Sequence, residues 1–339
     1  MEIPQHLLKR LKKNEEITRK FNEIEISILS ILNFKDFFER LLFQIADKFS
    51  IPHIWLSIIQ ESSICQQLKD CSGSQGLKSA IAFVSQERFI SIIKNQKPVL
   101  ANRNLTFFKD LMPDTLTEPI GSLAIAPITL DGKLVGSINQ ADIDTCRFEP
   151  GIDTSLLEQL AQKVSLCLSN VTAHEQLKFL AYHDPLTGLF NRAVFERILD
   201  REVSRAKRYN SALSLIFLDF DDFKTINDTA GHSIGDKALC FLADALNSLK
   251  RQQDIVARFA GDEFVVILPS TEKNSAAHFI RRINAYFEAN PLLSGKYRFN
   301  IRISHGISSL SDAGVYSSSE LLKRADSKMY QHKAEKKKR

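Results

Sequence analysis

Two short acidic segments carry the residues of this chain whose types and spacing best suit chemistry. Asp219 follows the apolar run 213–218, and Asp262 and Glu263 sit at the centre of ARFAGDEFVVILP. Carboxylates displayed together by neighbouring strands repel one another unless a hard cation holds them. Further polar groups come soon after Asp219: Lys224, Asn227 and His232. This combination indicates metal-assisted chemistry on a phosphate ester.

The acidic segments need a sheet to hold them in place. The run 213–218 is apolar except for one serine, as expected of a buried strand that ends at Asp219. Two further strands are predicted over 255–259 and 264–268, with a tight turn at Ala260–Gly261. From Asp184 onward strand and helix patterns alternate, which predicts an α/β domain.

The N-terminal half is predicted to form helices around a second sheet. Residues 1–33 place apolar side chains at helical intervals, and this helix could pair with a second copy. An amphipathic helix is predicted over 37–49 and a strand over 53–60. Asp131–Gly132 joins two apolar runs and is a strong hairpin signal. After FEPG, a helix capped by Asp153 or Thr154 is predicted to run toward residue 180.

That last helix carries apolar residues at alternating spacings of three and four. This seam consists of Leu157, Leu160, Val164, Cys167 and Val171. The spacing is that of a coiled coil of about two heptads. Packing of the helix on its own domain explains the first half of the pattern equally well.

Composition bounds the class of protein. The chain has 339 residues, 44% hydrophobic and 25% charged, which predicts two globular domains. No apolar run approaches the roughly 20 residues of a membrane span, and the N-terminal residues lack a signal-peptide core, so we expect a cytoplasmic protein. The five cysteines show no metal-ligand spacing and are expected to be reduced. A net charge of +5 gives no support for nucleic-acid binding.

The region 34–153 resembles a GAF-like sensor domain, a sheet with flanking helices. The resemblance depends on the order of helices and strands, on the GSLAIAPITLDGKLVGSI hairpin and on the FEPG-then-helix ending. It implies a small-molecule ligand or a dimerisation role, without indicating which. Isolated residues such as His53, Cys65 and Cys71 are interpreted as structural.

The region 181–339 resembles the GGDEF family of diguanylate cyclases. DPLTGLFNR, LDFDDFKTINDTAGHSIGD, AGDEF, RISHGIS and LLKRADSKMYQHK occur in the order of that family's motifs. The resemblance implies a nucleotidyl-cyclase-like fold with a mostly antiparallel central sheet, and an enzyme that joins two GTP into cyclic di-GMP and two pyrophosphates. It also implies a homodimer, held through residues 1–33 and the linking helix 154–180, because each subunit binds one GTP. The chain as a whole is therefore predicted to be α/β (α+β).

The resemblance assigns roles in the active site. Asp219, Asp262 and the main-chain carbonyl of Phe220 would bind Mg²⁺ or Mn²⁺, and Lys224 would add positive charge for the phosphates. Glu263 would be either a second metal ligand or an aid in deprotonating the attacking hydroxyl. The backbone N–H groups of Asp222 and Phe223 would hold the GTP phosphates together with Lys224, and Lys333 and Lys337 would add phosphate contacts from the last helix. Asn227 and Asp236 would recognise guanine against an apolar wall given by Leu186.

Two departures from the family pattern stand out. His332 replaces a small residue, and Lys336–Lys337 replaces a Gly-Arg step, so Lys337 would supply charge without the bidentate geometry of arginine. Ala260 replaces the first glycine of the name motif, and a Cβ at a positive φ would cost roughly 1–2 kcal/mol there.

Upstream of the acidic turn, the pattern Arg251-x-x-Asp254 resembles the family's product-inhibition site, with Arg282 completing it. It implies feedback inhibition by cyclic di-GMP. The alternative is a catalytically weak protein that acts as a receptor for cyclic di-GMP or GTP.

Overall fold

The computed structural model describes residues 5–71, 75–94, 96–295 and 297–337. The chain divides into two compact units, Met1–Leu177 and Lys178–Arg339. Within the described residues, no helix combines the length and apolarity needed to cross a bilayer.

The N-terminal unit is a mixed sheet with helices. Its helices are α1 (Gln5–Leu29), α2 (Phe34–Phe49), α3 (Cys65–Cys71), α4 (Gln75–Ser79), α5 (Gln86–Ile92), the 3₁₀ helix Leu105–Leu111 and α6 (Ser155–Tyr182), which continues into the second unit. Its strands are β1 (His53–Ile59), β2 (Ile81–Val84), β3 (Val99–Ala101), β4 (Ser122–Leu130) and β5 (Lys133–Asp142). The sheet order is β2-β1-β5-β4-β3, and β1 pairs with β2 in parallel whereas the remaining pairs are antiparallel.

The predicted hairpin between β4 and β5 is confirmed. Asp131 and Gly132 both have positive φ, 51° and 77°, as the favoured two-residue hairpin turn requires. The predicted helix over 37–49 is also present, beginning at Phe34. It begins there because the Asn33 side chain accepts a hydrogen bond from the Asp36 N–H.

The seam predicted for α6 faces the interior of its own unit. Leu160, Val164, Cys167 and Val171 are buried in one core with side chains of α1 and α2. The coiled-coil interpretation of these positions is therefore wrong, and the alternative, packing within the domain, is confirmed. A different stripe of α6 is exposed, and it includes Leu166.

The C-terminal unit contains an antiparallel sheet between two layers of helices. Its helices are α7 (Arg192–Tyr209), α8 (Phe223–Ala230), α9 (His232–Leu249), α10 (Lys273–Ala289) and α11 (Ser318–Lys337). Its strands are β6 (Leu213–Phe220), β7 (Ile255–Ala260), β8 (Glu263–Pro269), β9 (Leu292–Ser294), β10 (Tyr297–Phe299) and β11 (Ile303–Ser309). The main sheet has the order β11-β6-β8-β7 and is antiparallel throughout, which confirms the predicted arrangement.

Strand β6 is buried on both faces. Ile216, Leu218 and Phe220 face the core formed with α9 and α10. Leu213, Leu215 and Phe217 face the core formed with α7 and α11. Because side chains alternate along a strand, Asp219 lies on the face of α7 and α11.

The acidic hairpin differs from its prediction by one residue. Strand β7 extends through Ala260 and β8 starts at Glu263, so the turn is Gly261–Asp262. A β-bulge between Arg258 and Ala260 shifts the register. The positive φ of 49° belongs to Gly261, whereas Ala260 pairs with Glu263 in the sheet. The expected strain at Ala260 is therefore wrong, because its backbone is not left-handed.

Candidate active site

Asp219 is a nearly buried carboxylate at the end of a central strand. It is 5% exposed and lies opposite Glu263 of β8 and Ser304 of β11. The Lys333 ammonium donates a hydrogen bond of 2.6 Å to Asp219 Oδ1. Burial raises the pKa of Asp219, and the negative charges of Asp262 and Asp221 add to this effect, while Lys333 opposes it.

The other two carboxylates follow from the same strand pairing. The Phe220 N–H donates to the Asp262 carbonyl (3.1 Å), which anchors the hairpin turn beside the end of β6. Burial and the charges of Asp219 and Asp262 raise the pKa of Glu263. The three carboxylates therefore repel one another, and a cation placed among them would relieve that repulsion.

The donor set fits a magnesium-type ion. Mg²⁺ commonly takes one or two carboxylates from the protein and the rest of its ligands from substrate phosphates and water. Asp219 and Asp262, with the Phe220 carbonyl, match that number. Among the described side chains, no group of three or more His, Cys, Asp or Glu residues is placed to hold a metal without such help.

A cavity of about 720 Å³ opens beside these carboxylates. Its lining includes four residues predicted from the sequence as substrate contacts: Asp222, Phe223, Lys224 and Lys333. The rest of the lining is Phe220, Asp221, Thr225, Asp262, Arg302 and Lys336. Arg302 is the first residue of the RISHGIS motif, but the family resemblance gave it no role in binding, so it was not predicted as a substrate contact.

The start of α8 faces this cavity. Asp222 precedes the helix with a left-handed backbone (φ 57°) and makes no side-chain cap. The first N–H groups of a helix have no partners within it, so they are available to an anion. The Asp222 and Phe223 amides, predicted to hold phosphate, are at this helix start.

The residues predicted to recognise guanine lie outside the cavity lining. Asn227 is in the last turn of α8, and Asp236 is exposed in the first turns of α9. The Asn227 Oδ1 atom is buried and has no hydrogen-bond partner among the described residues. Leu186 is half-buried, and its carbonyl accepts a bond of 3.3 Å from the Cys240 thiol of α9.

Arg258 connects the DPLTGLFNR segment to the acidic hairpin. Its guanidinium donates to both oxygens of Asp184 (2.9 and 3.1 Å) and to the Gly261 carbonyl (2.8 Å). Burial opposes ionisation of Asp184, but hydrogen bonds from Thr187 and Arg258 lower its pKa below the ordinary value. Arg258 was not predicted as a site residue, although it is a charged residue inside an otherwise apolar strand.

Helix α11 is bound to the free edge of β11 by three side chains spaced four residues apart. Lys328 donates to the Ile307 carbonyl (2.8 Å), His332 accepts from the His305 N–H (3.1 Å), and Lys336 donates to the Ile303 carbonyl (2.7 Å). Lys336 also reaches Asp221, at 2.7 Å.

This edge contact explains the departures at positions 332 and 336. Both side chains hold α11 in the register that brings Lys333 to Asp219. The side chain of Lys337, the other predicted phosphate contact of this segment, lies outside the described residues.

The predicted inhibitory residues lie near one another at the start of β7. The Arg251 N–H donates to Asp254 Oδ2 (2.8 Å), and the Arg282 guanidinium donates to the Leu249 carbonyl (2.8 Å). Both arginines are exposed, whereas Asp254 is only 3% exposed. Asp254 Oδ1 is buried without a partner among the described residues.

The C-terminal part of the chain is similar to known proteins. Residues 181–339 match the family model "Diguanylate cyclase, GGDEF domain". The diguanylate cyclase DgcP of Pseudomonas aeruginosa is 33% identical over 218 residues, which are 63% of this chain and 32% of that protein. The response regulator PleD of Caulobacter vibrioides is 41% identical over 157 residues, or 46% and 34% of the two chains. The chain thus spans about a third of the length of these relatives.

A solved structure adds a match that is restricted to one domain. The GGDEF domain of TpbB (YfiN) from Pseudomonas aeruginosa is 35% identical and covers 45% of this chain and 90% of that one, with a TM-score of 0.43. The family model covers the whole C-terminal unit apart from its first residues. Residues 181–339 of this chain are a GGDEF domain and belong to the diguanylate cyclase family.

Proposed function

We propose that this chain is a diguanylate cyclase that converts two GTP into cyclic di-GMP and two pyrophosphates. The observation that carries the proposal is the buried Asp219, which is bonded to Lys333 and lies beside Asp262. Lys333 and Asp262 both line the cavity, together with Lys224, Arg302 and Lys336. In each half-reaction, a ribose 3′-hydroxyl attacks the α-phosphorus of the GTP on the other subunit. The new P–O bond forms as the bond to the β-phosphate oxygen breaks and pyrophosphate leaves.

In the proposed mechanism each residue of the site has a separate task. Mg²⁺ or Mn²⁺, bound by Asp219, Asp262 and the Phe220 carbonyl, would neutralise the triphosphate and lower the pKa of the 3′-hydroxyl. Glu263, whose pKa is raised, would accept the proton of that hydroxyl. The amides at the start of α8 and the Lys224 ammonium would hold the phosphates.

Asn227 and Asp236 would recognise guanine, against the apolar wall of Leu186. The guanine edge offers donors at N1 and N2 and an acceptor at O6. The buried, unpartnered Oδ1 of Asn227 supports this role, because a buried acceptor without a partner costs roughly 1–3 kcal/mol unless a ligand satisfies it.

The reaction requires two copies of the chain, each with one GTP. We propose that α6 supplies part of the dimer seam through its exposed stripe. The members of this stripe follow the four-three spacing of a coiled coil: Leu166, Asn170, Ala173, Leu177 and Leu180. The N-terminal unit, as a GAF-like sensor of an unidentified ligand, would regulate the enzyme through these helices. Because its substrate is GTP, we place the enzyme in the cytoplasm.

Feedback inhibition is the second part of the proposal. Cyclic di-GMP would bind at Arg251, Asp254 and Arg282, where two exposed guanidinium groups can hold phosphate or guanine bidentately. The buried Oδ1 of Asp254 would then accept a guanine N–H.

One observation favours the alternative function, a receptor for cyclic di-GMP or GTP without turnover. Lys333 already neutralises the Asp219 carboxylate that the chemistry requires for a metal ion. If this ion pair persisted with GTP bound, the metal could not bind productively.

Turnover assays separate the two functions. The full chain is incubated with GTP and Mg²⁺, and cyclic di-GMP and pyrophosphate are quantified alongside Asp262→Asn and the matched control Asp228→Asn. Asp228 is exposed on α8 and does not line the cavity. We expect one cyclic di-GMP per two pyrophosphates from the wild type and from Asp228→Asn, and no product from Asp262→Asn.

Each result discriminates between the candidates. Absence of product from a folded, dimeric wild type that binds cyclic di-GMP would favour the receptor. Product formation that slows with time in the wild type but not in Arg251→Ala would support feedback inhibition.

A further inference from the structure

The cavity beside Asp219 is lined by more cationic side chains than the predicted substrate contacts account for. Its lining includes four cationic side chains: Lys224, Arg302, Lys333 and Lys336. Of these, only Lys224 and Lys333 belong to the predicted substrate contacts. A cation of this lining is available to a ligand only if it forms no ion pair within the protein.

Two of the cations are neutralised by the protein itself. Lys333 forms an ion pair with Asp219 (2.6 Å), and Lys336 forms one with Asp221 (2.7 Å). Among the described side chains, neither Lys224 nor Arg302 has an ion-pair or hydrogen-bond partner.

The lining also contains three carboxylates: Asp221, which pairs with Lys336, and Asp222 and Asp262, which form no ion pair among the described residues. Once a divalent ion held by Asp262 offsets the negative charge there, Lys224 and Arg302 favour a ligand with several negative charges.

The position of Arg302 is fixed by the backbone. Its carbonyl accepts a hydrogen bond of 2.9 Å from the Asp221 N–H, in the loop between β6 and α8. Its neighbour Ile303 pairs with Phe220 at the end of β6. Arg302 therefore lies at the same strand ends that present Asp219 and the N-terminus of α8.

We propose that Arg302 binds the triphosphate chain of the nucleotide, an inference that rests on the proposed function. The guanidinium fork can hold two phosphate oxygens at once, which an ammonium cannot. Arg302 would thereby supply the bidentate contact that is missing where Lys337 replaces an arginine of the family pattern. Arg302 would act as a binding residue and would take no part in proton transfer.

The test compares ligands that share the base and differ in phosphates. The probes are guanosine and α,β-methylene-GTP, whose α–β linkage cannot be cleaved by the attacking hydroxyl. Their affinities for the full chain are measured by calorimetry with Mg²⁺, for the wild type, Arg302→Gln, Arg302→Lys and the control Arg298→Gln. Arg298 is an exposed arginine of β10, four residues away, that does not line the cavity.

We expect Arg302→Gln to weaken α,β-methylene-GTP by about ten- to a hundredfold, as for loss of a charge-assisted hydrogen bond, and to leave guanosine unchanged. Arg302→Lys should fall in between, since it keeps the charge and loses the fork. Arg298→Gln should resemble the wild type for both ligands. An equal loss for both ligands, or no loss for either, would overturn the proposal.

The outcomes for Arg302 and for the enzyme are distinguishable. A selective loss in Arg302→Gln, in a protein that forms no cyclic di-GMP, would support the phosphate contact and contradict the cyclase. A wild type that binds neither probe would contradict both.

Discussion

Gly235 provides a sharp test of guanine recognition by Asn227. A Cβ built on Gly235 would lie 1.9 Å from Asn227 Oδ1 and 2.9 Å from its Cγ. Ordinary contact begins at 3.4 Å, so the amide oxygen must move by 3.4 − 1.9 = 1.5 Å. Because hydrogen bonds occupy a window of about 0.5 Å, a displacement of this size breaks any bond from Oδ1 to the base.

The expected effect of Gly235→Ala is on substrate and not on stability. The clash is with the end of a side chain, and alanine in a helix interior is about 1 kcal/mol more favourable than glycine. We therefore expect a melting temperature equal to or above that of the wild type. Loss of a hydrogen bond that leaves buried groups unpaired costs about 1–3 kcal/mol, so kcat/KM for GTP should fall by roughly ten- to a hundredfold.

The assay is a double-mutant cycle on kcat/KM and melting temperature. Its members are the wild type, Gly235→Ala, Asn227→Ala and the double variant, with Gly76→Ala as control because nothing lies within 4 Å of a Cβ there. If Gly235→Ala acts only through Asn227, the double variant should be no worse than Asn227→Ala. Additive losses, or a Gly235→Ala variant with full kcat/KM, would refute the reasoning.

Three further predictions concern the supports of the site. A Cβ at Gly306 would lie 1.9 Å from the Ala325 carbonyl oxygen and 2.3 Å from the Met329 nitrogen. Gly306→Ala should therefore displace α11 and lower the melting temperature by at least several degrees. An unchanged melting temperature would contradict this packing of α11 on β11. Arg258→Ala leaves the carboxylate of Asp184 without its ion-pair partner and should destabilise the C-terminal unit by about 3 kcal/mol in denaturant titrations. Asp184→Asn should restore part of this loss. Burial lowers the pKa of His305 to about 4. The positive charges of His332 and Lys336 add to this effect, while Asp221 opposes it.

The lowered pKa of His305 predicts how the stability of the protein changes with pH. Since the unfolded chain binds a proton near pH 6.5 and the folded chain does not, the free energy of unfolding should fall as pH drops from about 6.5 toward 4. Lowering the pKa of His305 from 6.5 to about 4 corresponds to at most roughly 3 kcal/mol of unfolding free energy, and to less for a side chain that is only half-buried. Chemical unfolding at pH 7 and pH 5 measures it, and His305→Gln should reduce the difference. An identical pH dependence in both proteins would rule out His305 as the cause.

Several elements were accessible from the sequence because their signals are local. The Asp131–Gly132 hairpin requires two left-handed residues, and few dipeptides provide them. Strand β6 is recognisable because a strand buried on both faces has no polar alternation. The acidic residues at its end follow directly from that assignment.

Other features depend on which face of an element is covered. The α6 seam has coiled-coil spacing, yet α1 and α2 cover it, and spacing alone does not reveal which neighbour buries a stripe. The turn of the acidic hairpin moved by one residue because a bulge at Phe259 altered the register.

By itself, the sequence determined the motifs, their order and the identity of the carboxylates, since these depend on residue types and on distances along the chain. Tertiary structure alone decided which cations are free. Lys333 and Lys336 reach Asp219 and Asp221 across more than a hundred residues, and Arg302 enters the cavity through the pairing of β11 with β6. Charge pairing in space depends on strand register and helix packing, and neither is encoded in local spacing.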